Sequence, residues 1–242
     1  MKKKIIFLIL IIYSTNIFAH VNIKKNFSLE ENKINFHILK KQLKQKKINE
    51  TIKKLKKLEK QPFKKKIIEK IKIYLIYSYF INKDFFFTLK EIYKFKKKYP
   101  YNPNMDYILY LEALSHMSLD QNFLFGLFKI NNCETDPIHS IQALMSFLKL
   151  ISVYPKSPYS KIGQQQLVNI KDRLAKHEFT ILQFYYKKKI YPIVIDRGKD
   201  ILKNYPDTIY AKKTLSLMKN SHFKIDLISQ TKKNKKNVSC NS

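Results

Sequence analysis

The chain has 242 residues, with 48 Lys+Arg against 18 Asp+Glu, a formal net charge of +30, three glycines and no tryptophan. Its abundance of Lys, Ile, Asn, Phe and Tyr follows A- and T-rich codons, so part of that charge is a mutational imprint rather than a sign of an anionic partner. All but two of the basic residues are lysine; a nucleic-acid binder would keep guanidinium groups for bidentate contacts to phosphate and guanine, so that class is excluded.

Residues 1–19, MKKKIIFLILIIYSTNIFA, place three lysines before an apolar run from Ile5 to Ile12, then polar residues and Ala19. This is the layout of a secretory signal peptide, and the run is far short of the roughly 20 residues that span a bilayer. The mature chain is therefore expected outside the cytoplasm. An oxidising compartment permits a bridge between Cys133 and Cys240, but their separation and the lysine-rich setting of Cys240 favour two free thiols.

From residue 28 to residue 220 the apolar period is helical. Ile67, Ile68, Ile71, Tyr74, Leu75 and Ser78 share one face, as do Leu167, Ile170 and Leu174. No alternating strand pattern bounded by turns is present, and the fold class is all-α. Four helical stretches end at a proline: KQPF with Pro62, KKYP with Pro100, SVYP with Pro155 and KNYP with Pro206. A proline just past a helix end cannot continue that helix. The first interval is close to the ~34-residue helix–turn–helix unit of tetratricopeptide repeats, and the longer ones fit a unit with an insertion. Leu75 and Tyr79, Tyr185, and Ala143 with Phe147 stand at the spacings that such a repeat asks for. Asn82-Lys83-Asp84 reads as a turn between paired helices, and Ser157 and Asp207 as helix N-caps. Residues 221–242, ending TKKNKKNVSCNS, read as a basic disordered tail.

Catalytic and cofactor motifs are not found: there is no nucleophile elbow, zinc-helix signature or phosphate-cradling glycine loop. His177-Glu178 and the Asp136…His139 pair read as surface or capping residues. The aromatic runs Phe85-Phe86-Phe87 and Tyr185-Tyr186 suit either a core or a peptide groove. Binding is expected rather than turnover, with no cofactor.

The stretch YPYNPNMDYILYLEAL, residues 99–114, resembles the BamD family of tetratricopeptide-repeat lipoproteins. LIYSYF (75–80), HMSLDQNFLFGLF (116–128), DPIHSIQALMSFLKLISVYPKSPYS (136–160), IKDRLAKHEF (170–179) and LKNYPDT (202–208) carry the resemblance on. It implies a superhelix of about five helix–turn–helix units acting as a periplasmic scaffold at the outer membrane. The implied partners are the POTRA region of the barrel-forming subunit BamA, unfolded outer-membrane β-barrel proteins and other Bam lipoproteins. In such a groove Tyr74, Tyr77, Tyr79, Asp106, Tyr107 and Tyr110 would meet client strands. Arg197, with Asp196 and Asp200 beside it, matches a family arginine that pairs with an acidic residue of BamA; the alternative is an internal pair with Asp196 or Asp200. Arg173 reads as structural, amid Asp172, Lys176 and Glu178. The family carries a lipid on a cysteine at the signal cleavage site, where this sequence has His20, so the usual anchor is in doubt. A different class of function, a basic secreted protein binding anionic lipid or lipopolysaccharide, would also account for the charge.

Overall fold

The structure, a computed structural model, describes residues 47–120 and 136–239, which fall in one compact unit, Lys46–Ser242. The segment expected to be a signal peptide, His20, the part of the expected repeat region before residue 47, Cys133 and Cys240 lie outside the described residues. Among the described residues there are eight helices and no strand: α1 (Ile48–Glu59), α2 (Lys65–Ile81), α3 (Phe85–Lys98), α4 (Met105–Leu119), α5 (Ile138–Val153), α6 (Pro158–Lys187), α7 (Tyr191–Asn204) and α8 (Ile209–Ser239). The all-α reading holds.

The helices pack as repeated pairs. Each touches the next along the chain, and α2, α4, α6 and α8 also touch one another in sequence. That second ladder, first helix against first helix of the following unit, is what stacks helix pairs into a superhelix. The pairs α2–α3, α4–α5 and α6–α7 are complete.

The tyrosine–proline sequences show why the repeat recurs. Tyr99, Tyr154 and Tyr205 cap α3, α5 and α7 with nearly the same backbone: φ −132, −127 and −135, ψ 57, 58 and 48. Steric conflict with the following proline drives each tyrosine out of the helical region. Each still donates its N–H to the residue four before it: Phe95, Leu150 and Ile201. Each carbonyl then accepts from the residue three ahead, namely Asn102, Ser157 and Thr208, closing the turn into the next helix.

Within pairs the turn is also repeated. Lys83 and Lys189 adopt left-handed φ values of 63 and 61. Lys83 N–H bonds the Phe80 carbonyl and Asp84 N–H that of Tyr79; Lys189 and Ile190 do the same to Tyr186 and Tyr185. These are two complete Schellman motifs with lysine where glycine is usual.

Two expectations about helix ends need correction. The cap of α8 is Thr208 rather than Asp207: its Oγ1 accepts from Ala211 N–H at 3.2 Å. And residues 221–239 are not disordered but the second half of α8. Ala211, Thr214, Met218 and Ser221 dock its first half in the core, and once a helix is nucleated each further residue adds its own hydrogen bond. Ser157, by contrast, caps α6 as expected, with its hydroxyl accepting from Tyr159 N–H.

Candidate functional site: the outer face of the α6–α7 unit

α7 begins Tyr191-Pro192, where a proline is tolerated because first-turn N–H groups have no helical acceptor. Tyr191, Val194, Gly198 and Ile201 recur at helical spacing and are buried. Val194 and Ile201 share a core cluster with Phe179 and Leu182 of α6. A Cβ at Gly198 would stand 2.4 Å from Met218 Sδ and 2.6 Å from its Cγ, so this glycine lets α8 approach α7.

That inward face fixes what points outward. Ile193 is 37% exposed, Asp196 and Asp200 are exposed, and Arg197 is half-exposed. Arg197 leans on the ring of Tyr185, with Cζ 5.6 Å from its centroid. Its Nη1 lies 3.6 Å from Glu178 Oε2. The internal partner is therefore Glu178 on α6, not Asp196 or Asp200. At that distance the pair is ionic without a hydrogen bond, and both side chains reach solvent, so it contributes about 0–1 kcal/mol. The arrangement holds a half-exposed guanidinium by the Tyr185 ring and Glu178, on a helix face that also exposes Asp196, Asp200 and Ile193. Chemically it can receive a carboxylate and bury a small apolar side chain next to it.

Arg173 is structural, through a partner that its local neighbours did not suggest. Its Nη2 lies 3.6 Å from Asp120 Oδ1, with the side chains 9% and 1% exposed. Asp120 also accepts from the Ser140 hydroxyl. One carboxylate at the end of α4 thus ties α5 and α6 together. Glu178, expected near Arg173, belongs to Arg197.

The tyrosines expected to line a client groove are mostly core. Tyr74, Tyr79, Tyr107 and Tyr110 are 6–8% exposed; Tyr77 and Asp106 are intermediate. Tyr110 stacks on Tyr159 at 4.9 Å, and Tyr107 meets the same ring at 5.3 Å. Asp106 accepts from the Ser157 hydroxyl at 2.7 Å and so braces the start of α6. Burial pushes the Tyr110 hydroxyl up to about 12, and burial first, then Asp106 and Tyr110, raises that of Tyr159. These phenols stay protonated at neutral pH and pack repeat against repeat. Sequence alone could not separate the two roles, because a tyrosine at helical spacing serves both.

Aromatic surface lies elsewhere. Phe86, Tyr93 and Tyr101 are 69%, 68% and 97% exposed. Phe87 stacks on Tyr79 at 5.5 Å. These two rings, with Lys56, Lys60, Lys90 and Lys94, line a cavity of about 400 Å³ between α1 and α3. The Phe85-Phe86-Phe87 run was the signal for it. Among the described residues no cluster of three or more His, Cys, Asp or Glu could hold a metal ion, and no helix is long and apolar enough to cross a membrane.

With that geometry in place, residues 30–237 match the family model YfiO, described as outer membrane lipoprotein. The chain belongs to the YfiO family. It is similar to the outer membrane protein assembly factor BamD of Buchnera aphidicola (subspecies Acyrthosiphon pisum), 34% identical over 236 residues and covering 96% of each chain. It is also similar to BamD of Vibrio cholerae, 34% identical over 167 residues, 68% of this chain and 69% of that one. BamD of Pasteurella multocida is 32% identical over 153 residues, 63% of this chain and 59% of the relative. The match to Buchnera BamD runs through the α6–α7 unit as well as the repeats before it.

Proposed function

We propose that this protein is a non-catalytic periplasmic scaffold of outer-membrane protein assembly. It binds the POTRA region of BamA and assists insertion of β-barrel proteins, with other Bam lipoproteins as further partners. The observation that carries this reading is the likeness to a BamD over 96% of both chains. The helical-repeat architecture supports it, because stacked helix pairs offer extended surfaces to proteins. Arg197, supported by Tyr185 and Glu178 beside exposed Ile193, supports the α6–α7 face as the BamA-binding surface. A planar fork matches a carboxylate in a way that lysine cannot, which is a reason for an arginine in a chain whose basic residues, Arg173 apart, are otherwise lysine.

On this reading the protein sits at the periplasmic face of the outer membrane. His20 stands where the family places its lipid-bearing cysteine, so the usual anchor is in doubt, and we infer that partners or another surface of the chain contribute to attachment. Isothermal titration of the mature protein against the POTRA region of BamA from the same organism tests the proposal. A saturable one-to-one complex is expected; no heat above dilution at high micromolar concentrations contradicts it.

A further inference from the structure

We propose that the distal half of α8 is a membrane-surface helix that holds the chain on a bilayer containing anionic phospholipid. Up to Thr231, the last fully buried position of α8 is Ser221. From His222 to Thr231 only Ile225 is partly covered, and the helix runs on to Ser239. Three large apolar side chains stand in solvent there: Phe223 at 62%, Leu227 at 39% and Ile228 at 46% exposed.

Their setting is specific. At about 100° per residue, Phe223 and Leu227 share a face with Ile209, itself 57% exposed, and that face lies opposite the buried Thr214, Met218 and Ser221. Lys219 and Lys224 fall on its two flanks. Long lysine stems can lie along an apolar surface while the ammonium reaches head groups. Further along the same helix are Lys232, Lys233, Lys235 and Lys236, and Asp226 is the single acidic residue of α8.

Lysine is abundant throughout this chain, so charge alone would carry little. Outward Phe and Leu between lysines, on a helix almost without carboxylates, is another matter. It fits an interface rich in phosphate above hydrocarbon. A fluid bilayer needs no fixed fork, and α8 has no arginine. With no helix able to cross a membrane among the described residues, the helix would lie on the surface.

The test is flotation of the mature full-length protein with vesicles of phosphatidylcholine alone or containing phosphatidylglycerol, without BamA. Partitioning onto the anionic vesicles is expected to exceed that onto neutral ones by about tenfold or more and to fall as salt shortens the Debye length. The double variants Phe223→Ser/Leu227→Ser and Lys219→Gln/Lys224→Gln should each lower partitioning several-fold with the helical circular dichroism unchanged. The control Lys53→Gln/Lys54→Gln, two exposed lysines of α1, should leave it unchanged. Absence of anionic-vesicle binding, or equal loss in the α1 control, overturns the proposal. So does an α8 variant that loses POTRA binding while keeping its affinity for vesicles, which would make this face a protein-docking surface. The vesicle assay contains no BamA, so its failure leaves the scaffold reading standing.

Discussion

Arg173 of α6 lies 3.6 Å from Asp120 at the end of α4, and both side chains are almost wholly withdrawn from solvent. Because the Ser140 hydroxyl donates to the same carboxylate, this contact joins three helices rather than decorating one.

Removing one partner of such a pair leaves an uncompensated buried charge. Asp120→Leu is expected to lower unfolding stability by about 3–5 kcal/mol. Arg173→Met combined with Asp120→Leu should lose far less than the sum of the two single changes. Urea denaturation of the four proteins measures this, and additive losses would show that the contact is incidental.

Lys83 and Lys189 sit in left-handed backbone at the ends of α2 and α6. An L-residue there costs about 1–2 kcal/mol, while glycine adds about 0.4–1 kcal/mol of chain entropy to the unfolded state. Lys83→Gly and Lys189→Gly should therefore each stabilise, by about 0.5–1 kcal/mol. Thermal melts decide it; a lower Tm in both variants would mean that the lysine stems contribute packing that outweighs the strain.

His116 of α4 and His139 of α5 bring their Nδ1 atoms to 3.1 Å. Burial first, then His139 and Lys96, lowers His116 from its ordinary 6.5 to about 4. A folded pKa below the unfolded one means that the unfolded chain binds the proton more readily. The contribution of this group is thus fully present above about pH 6.5 and is lost as pH falls toward 4. Between pH 7 and 4.5 the wild type should lose more stability than His116→Gln. Identical pH profiles for the two proteins would remove the histidine pair from the account.

What could be read in the sequence was whatever is local. The tyrosine–proline helix ends, the Ser157 cap and the apolar faces of α2 and α6 follow from backbone sterics and from period 3.6. Contacts between distant segments were not legible. Arg173 has Asp172 and Glu178 nearby in sequence, yet its partner Asp120 comes from another helix pair, and Glu178 turns to Arg197. Tyr74, Tyr79, Tyr107 and Tyr110 were ambiguous because a phenol serves a groove and a core alike; burial of all four decides their place, with Tyr110 stacked on Tyr159 and Tyr79 on Phe87. The terminal segment misled because lysines and a weak apolar period resemble disorder, whereas its docked first half commits the rest to helix.

We infer that the α6–α7 face receives an acidic residue of BamA through Arg197. The most direct test is calorimetric titration of Arg197→Lys against the POTRA region, beside thermal melts. Truncating one member of a desolvated charge pair typically costs about 2–5 kcal/mol, and a rim pair under about 1. Lysine keeps the charge and loses the fork, so the account predicts binding weaker by about 1–2 kcal/mol with an unchanged Tm, the Glu178 contact being half-exposed. An Arg197→Lys protein that binds as tightly as wild type but melts early would contradict it and make the residue an internal strut to Glu178 and Tyr185.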